Sequence, residues 1–288
     1  MGEYVDIGGL NTWYDEDGSG DPLVLLHGGL CTNDTWAAQT PVLAERFRVI
    51  APERRGHGHT ADVPGPISYA AMTADTVGFL DTVVAGPADL VGWSDGGIVG
   101  LMVAVARPDL VQKLVVIGAN FDIAGVVPEI EEMFAHMAPD GDEMAMFRGL
   151  YEQHSPDGPE HWPVVFAKFV EMTQREPHIA VDDLARITAP TLVVVGDDDM
   201  VTLAHSETLY RTIPKSELAV IPGASHAVPM EKPELLNRIV LDFLTNEPVA
   251  TMLPIRRAAA GDVVATTTGP REPVVEKAPK VFAPPPTM

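Results

Sequence analysis

A serine stands between two glycines at Gly92-Trp93-Ser94-Asp95-Gly96, and no other stretch constrains the chain as strongly. Ahead of it runs the short apolar stretch Ala88-Asp89-Leu90-Val91, of strand type. Behind it, Ile98 to Ala106 is apolar over a length that suits a buried helix, stopped before Pro108. Gly-x-Ser-x-Gly at a strand-to-helix corner is the spacing of a nucleophile elbow. The corner forces the serine backbone into a strained conformation that lifts the hydroxyl clear of the sheet. Gly92 and Gly96 lack the β-carbons that would block so tight a turn. The helix that follows aims its first N–H groups at the reacting centre, where negative charge would develop. Three fixed positions in five arise by chance in glycine-rich chains, so the flanking strand and helix carry the functional reading. A serine nucleophile also needs a base and a group to orient that base, and both must come from elsewhere in the chain.

Composition narrows the partners. The 288 residues are 46% hydrophobic and 21% charged, as in a soluble globular protein. A formal charge of −22 argues against nucleic acid, which needs a basic face, and against an anionic membrane surface. Cys31 is the only cysteine, so no intrachain disulfide can form. Met1 to Asp6 has neither the basic nor the apolar segment of a signal peptide, and no apolar run approaches the roughly 20 residues of a membrane helix. A soluble, cytoplasmic protein is expected.

Tyr4 to Asp17 alternates around Gly8-Gly9 and predicts a hairpin. Pro22 to Leu26 reads as a strand buried on both faces and ends at His27-Gly28-Gly29-Leu30. Helical spacing covers Thr35 to Phe47, then Arg48 to Pro52 is a strand and Tyr69 to Val84 an amphipathic helix. Past the elbow, Gln112 to Gly118 is a further strand. This alternation predicts an α/β fold with a mostly parallel, doubly wound sheet. From Phe121 to Ile187 the alternation stops. Helical patterns rich in Met, Phe and acidic residues, broken by prolines, predict an inserted helical lid. The strand Pro190 to Gly196, a helix near 204–213, the strand Leu218 to Ile221 and a helix from Pro233 to Leu244 then complete the core. The expected organisation is therefore a core of 1–120 and 188–246, a lid of 121–187, and a disordered Pro-rich tail of 247–288.

Two strand ends carry the missing partners. Gly196-Asp197-Asp198-Asp199 follows one strand, and Gly223-Ala224-Ser225-His226 follows the last. Open α/β sheets build their sites at such carboxyl ends, so Ser94, an aspartate of this cluster and His226 are expected to converge. With His27-Gly28-Gly29 and Arg55-Gly56-His57-Gly58, these segments resemble the α/β-hydrolase superfamily from about Tyr4 to Leu244. The resemblance implies a catalytic triad of Ser94, Asp199 and His226, with Asp199 closing a Gly-x-x-Asp turn and Asp122 as the alternative acid. It implies an oxyanion hole of the Gly29 and Asp95 amides, with Leu30 close by. Asp95, Leu30 and Trp93 are the candidate substrate contacts. Asp197 and Asp198 are expected to be solvated or to cap the next helix, and His27 to brace its loop. Where relatives carry Asp before the Arg-Gly-x-Gly turn, this chain has Glu53.

The remaining candidates read more simply. His57 and His59 lack further ligands for a metal and are expected to be solvated loop histidines. The lid residues Met133, Phe134, Met137, Met144, Met146, Phe147, Trp162, Phe166 and Phe169 are expected to form the lid core, a few of them lining an adaptable apolar pocket. Cys31 is expected to be a packed side chain near the site.

The expected activity is that of a serine hydrolase cleaving a small carboxylic ester, or an amide or lactone, through an acyl-enzyme, without metal or organic cofactor. Alternatives on the same triad are carbon–carbon bond hydrolysis and cofactor-free perhydrolysis, and a ligand-binding protein with poor turnover is the alternative from another class. The run Gly-Trp-Ser-Asp-Gly-Gly further resembles the biphenyl-hydrolase-like group, including valacyclovir hydrolases that cleave α-amino-acid esters. That likeness implies that Asp95 pairs with a substrate ammonium, against the plainer role of helix cap or loop contact.

Overall fold

In the computed structural model, residues 2–246 and 251–253 are described. The expected tail 247–288 lies outside the described residues except for 251–253, which carry no helix or strand. All the elements fall within the unit Met1–Pro248.

An eight-stranded sheet carries the fold in the order β1-β2-β4-β3-β5-β6-β7-β8. The strands are β1 (Glu3–Ile7), β2 (Leu10–Gly18), β3 (Asp21–Leu26), β4 (Phe47–Pro52), β5 (Ala88–Trp93), β6 (Val111–Ile117), β7 (Thr191–Gly196) and β8 (Ser216–Ile221). The hairpin β1–β2 turns on Gly8 and Gly9, both at positive φ, as the primed two-residue turn demands. β2 pairs antiparallel with β4, and every pairing from β4 through β8 is parallel. Alternate residues of β3 enter opposite cores. Leu23 and Leu25 pack in the layer of Trp36 and Val240, while Val24 and Leu26 pack in the layer of Met72 and Leu101. Burial on both faces explains why the central strands read as unbroken apolar runs.

The helices are α1 (Thr40–Leu43), α2 (Tyr69–Phe79), α3 (Asp95–Ala106), α4 (Pro128–His136), α5 (Ala145–His154), α6 (Trp162–Thr173), α7 (Val181–Leu184), α8 (Leu203–Thr212), α9 (Val228–Glu231) and α10 (Pro233–Thr245). The helix expected over Thr35 to Phe47 is not continuous. A 3-10 turn at Asn33–Trp36 is followed by α1, and Phe47 already belongs to β4. Pro41 gives the reason: a residue without N–H is tolerated only in a helix's first turn, so the helix restarts there. Between β6 and β7 the chain forms α4 to α7 with no strand among the described residues, only the isolated bridge Asp122–His178, while Val126 bridges to Val201 beyond β7.

The strand order places the site. From β3 the chain moves outward to β4 and then returns to β5 on the other side, so the loops leaving β3 and β5 face each other across a topological switch point.

Candidate active site

Ser94 occupies the corner between β5 and α3 with φ 54° and ψ −121°, a conformation that non-glycine residues adopt only when their surroundings enforce it. Here the enforcement is backbone packing. A β-carbon on Gly92 would collide with Gly96 O, and one on Gly96 with the carbonyl of Leu26. The Ser94 N–H donates to Ile117 O at 2.8 Å, which ties the corner to β6. Gly97 N–H already donates to Ser94 O at 2.8 Å, which leaves the N–H groups of Asp95 and Gly96 at the start of α3 without an intrahelical acceptor.

His226 and Asp199 reach the same edge from the loops after β8 and β7. His226 Nδ1 donates to Asp199 Oδ1 at 2.8 Å, and the Asp199 side chain is fully buried. Asp199 also accepts from the N–H groups of Val201 at 3.1 Å and Gly196 at 3.3 Å, so its carboxylate is fixed in place. With Nδ1 donating, the other imidazole nitrogen is the acceptor. Trp93 holds the histidine loop through Nε1 donating to His226 O at 2.8 Å. Asp197 is exposed, as expected of a solvated residue, and it also accepts from Gly223 and Ala224 N–H and so shapes that loop. Asp122, the alternative acid, pairs with His178 at 2.8 Å and caps a 3-10 turn.

A cavity of ≈ 470 Å³ opens over these residues. Ser94, His226, Trp93, Gly29, Leu30, Cys31 and Asp95 line its base. Met133, Phe134, Met137, Met144, Phe147 and Phe169 supply the apolar wall, whereas Trp162 and Phe166 are buried in the core and Met146 is exposed. Leu30 sits at φ 55° in the loop after β3, a second strained residue at the same edge. Burial pushes the Cys31 thiol up to about 12, so it stays protonated and packed.

Asp95 has two unlike oxygens. Oδ1 accepts from the Tyr69 hydroxyl at 2.7 Å, whereas Oδ2 is buried with no hydrogen-bond partner. Oδ2 faces Gly29, where a β-carbon would stand 2.6 Å away. Burial raises the Asp95 carboxyl above its ordinary value, and the nearby Arg54 charge and the Tyr69 hydroxyl pull it back. Glu176 and Glu143 also line the cavity, and Glu176 accepts from Tyr69 N–H at 2.8 Å, joining the segment after α6 to the start of α2.

One of the two histidines of the β4–α2 loop departs from expectation. His57 is buried, and burial beside Arg54 drives it down to about 3, so it is a neutral core residue. His59 stacks on Trp13 and bonds to Glu53. Glu53 is itself buried under Gly58, where it accepts from the N–H groups of Asn33 and His59 and braces the turn. Among the described residues no group of three or more His, Cys, Asp or Glu could hold a metal ion. Tyr69, Glu176 and Arg54 went unnoticed as site residues in the sequence. Tyr69 looks like any core residue of an amphipathic helix, and only the fold brings it to Asp95.

A strained serine corner, a His–Asp pair and a cavity at the switch point of a parallel sheet define an α/β-fold hydrolase. The chain belongs to the alpha/beta hydrolase family, whose family model matches residues 23–239. It is 30% identical over 275 residues to a 2-hydroxy-6-oxo-2,4-heptadienoate hydrolase of Pseudomonas putida, covering 86% of this chain and 97% of that one. It is 26% identical to the serine hydrolase BPHL of Homo sapiens, over 83% of this chain and 85% of the relative. Among solved structures, a thermophilic esterase from Thermogutta terrifontis matches with a TM-score of 0.68 and 26% identity, covering 84% of this chain and 98% of that one. No helix among the described residues is long and apolar enough to cross a membrane.

Proposed function

We propose that the chain is a serine hydrolase of small carboxylic esters, and that its preferred substrates carry a protonated amine beside the scissile carbonyl. Ser94 Oγ attacks the carbonyl carbon while the unprotonated nitrogen of His226 takes the hydroxyl proton. Asp199 orients the imidazole and stabilises its cation. The N–H groups of Gly29 and Asp95 receive the oxyanion, and each such donor contributes about 10²- to 10³-fold to kcat. His226 then protonates the departing alkoxide, and water it activates hydrolyses the acyl-enzyme.

The carrying observation is the buried, unpartnered Oδ2 of Asp95, one residue from Ser94 and packed against Gly29, both residues lining the cavity. A desolvated carboxylate oxygen left unpaired is costly, and a ligand ammonium would satisfy it. The cavity's other acidic groups, Glu143 and Glu176, favour the same sign, and among its lining residues there is no lysine or arginine. That charge pattern disfavours an anionic dienoate such as the Pseudomonas putida relative's name describes, and with it the carbon–carbon reading.

A charge-assisted hydrogen bond of about 1.5–3 kcal/mol corresponds to about 10- to 100-fold in kcat/KM. The test compares a valyl ester with its des-amino analogue, in wild type and in Asp95→Asn. The expected result is a ratio of that size that collapses in the variant. A wild-type ratio near one rejects the ammonium role and leaves an ester hydrolase for uncharged substrates.

A further inference from the structure

The loop that would form the oxyanion hole is held from behind by a buried cation. Arg54 leaves the end of β4 and is 3% exposed. One terminal nitrogen, Nη1, donates to His27 O, and the other, Nη2, donates to Gly28 O at 3.0 Å. The backbone N–H of Arg54 donates to His27 Nε2 at 3.2 Å. That bond leaves the imidazole proton on Nδ1, from which it donates to Gly28 O at 2.8 Å. His27 is fully buried, and burial together with the Arg54 charge lowers it well below its ordinary value, so it remains this neutral tautomer.

Gly28 O therefore accepts from the guanidinium, from the His27 ring and, more weakly, from Cys31 N–H at 3.4 Å. This carbonyl belongs to the same peptide unit as the Gly29 N–H. A trans peptide is planar, and its C=O and N–H point in opposite directions. Clamping the oxygen against Arg54 thus turns the Gly29 N–H to the far side of that plane, and Gly29 lines the cavity beside Ser94. A positive charge on the carbonyl also polarises the amide, strengthening its N–H as a donor to a developing anion. Leu30, next in the chain, sits at φ 55°. Finally, Arg54 Nε is buried and has no acceptor among the described residues, while the Asp95 carboxylate acts on the guanidinium through space.

We infer that Arg54 is a positioning residue for the oxyanion hole, acting through the peptide joining Gly28 and Gly29. This role rests on the serine-hydrolase reading but not on the ammonium role of Asp95, so it is tested with neutral substrates. Hydrolysis of p-nitrophenyl butyrate is measured for wild type, Arg54→Met and Arg54→Lys. Rates are expressed per active site titrated with a fluorophosphonate, and a long-chain alkyl trifluoromethyl ketone serves as the tetrahedral-adduct inhibitor. Arg54→Met is expected to lower kcat about 100-fold with KM changed less than about threefold, since a misdirected hole donor loses transition-state binding alone. The inhibition constant of the ketone should rise by the same factor. Arg54→Lys, which keeps the charge but can clamp only one carbonyl at a time, should retain about a tenth of the wild-type kcat. It also provides the comparison if Arg54→Met does not fold. Variants that lose thermal stability yet keep kcat per active site and ketone affinity overturn the inference, because a purely structural arginine behaves that way. A change confined to KM overturns it as well. A wild type that neither turns over the ester nor is labelled overturns the serine-hydrolase reading itself, whereas an active wild type with indifferent variants overturns only the role of Arg54.

Discussion

Gly118 forms the floor beneath His226: a β-carbon on this glycine would stand 2.9 Å from His226 Nδ1 and 3.1 Å from Asp199 Oδ2. The backbone at the end of β6 therefore passes directly under the imidazole–carboxylate bond, and its φ of +55° adds a second reason for glycine. Gly118→Ala is expected to displace the pair by a few tenths of an ångström. Misplaced catalytic groups lose rate steeply, so kcat for p-nitrophenyl butyrate should fall about 10- to 100-fold with little change in KM. Steady-state kinetics with a parallel melting curve check this, and an unchanged kcat contradicts the placement.

Asp62 clamps α6 to the β4–α2 loop. Its buried Oδ2 accepts from Lys168 Nζ at 2.6 Å and from His161 Nε2 at 2.9 Å. Burial alone would raise this carboxyl, yet Lys168 and His161 hold it below its ordinary value. A depressed folded-state value contributes stability above the unfolded carboxyl's range and loses it as pH falls through the folded value. Asp62→Asn is expected to cost about 1–3 kcal/mol at pH 7, the difference shrinking below about pH 4. Phe169 follows Lys168 and lines the cavity, so KM should rise more than kcat falls. Denaturant melts at several pH values, with kinetics at pH 7, read both effects.

Asp89 works in the opposite sense. It is buried within β5, its Oδ1 has no partner, and burial raises it to about 6 against the pull of Lys113. The folded state then binds its proton more tightly than the unfolded chain does. The stability from this site is fully present below the unfolded value near 4 and is lost as pH rises through about 6. Wild type should lose about 1–3 kcal/mol relative to Asp89→Asn between pH 4 and pH 7. Urea unfolding of both proteins across that range measures it, and parallel pH profiles would contradict the assignment.

The sheet was legible because strands buried on both faces leave runs such as Leu23 to Leu26 and Leu192 to Val195 that no surface segment shows. The elbow was legible because the corner at Ser94 tolerates only glycine at 92 and 96. Less could be read where residues distant in sequence share one site. Tyr69 gives no local sign that its hydroxyl reaches Asp95, and nothing near Arg54 shows that it grips the carbonyls of His27 and Gly28, 27 and 26 positions upstream. A missing set of metal ligands makes His57 read as a solvated loop residue, yet the turn folds inward against His27 and Arg54. Over Thr35 to Phe47 the apolar spacing is helical, but the missing N–H of Pro41 outweighs it and the helix restarts there.

The central claim is that Ser94 forms a covalent acyl-enzyme with His226 as its base. Intact-mass analysis and peptide mapping after treatment with a fluorophosphonate test it most directly, in wild type, Ser94→Ala and His226→Ala, with p-nitrophenyl butyrate turnover measured alongside. One adduct per chain is expected, located on the peptide carrying Ser94. It should be absent from the alanine variant at 94 and formed at least about 100-fold more slowly without His226. Ester turnover should be lost in both variants while their melting curves stay near wild type. An adduct on any other residue, or labelling and turnover that survive Ser94→Ala, would contradict the account.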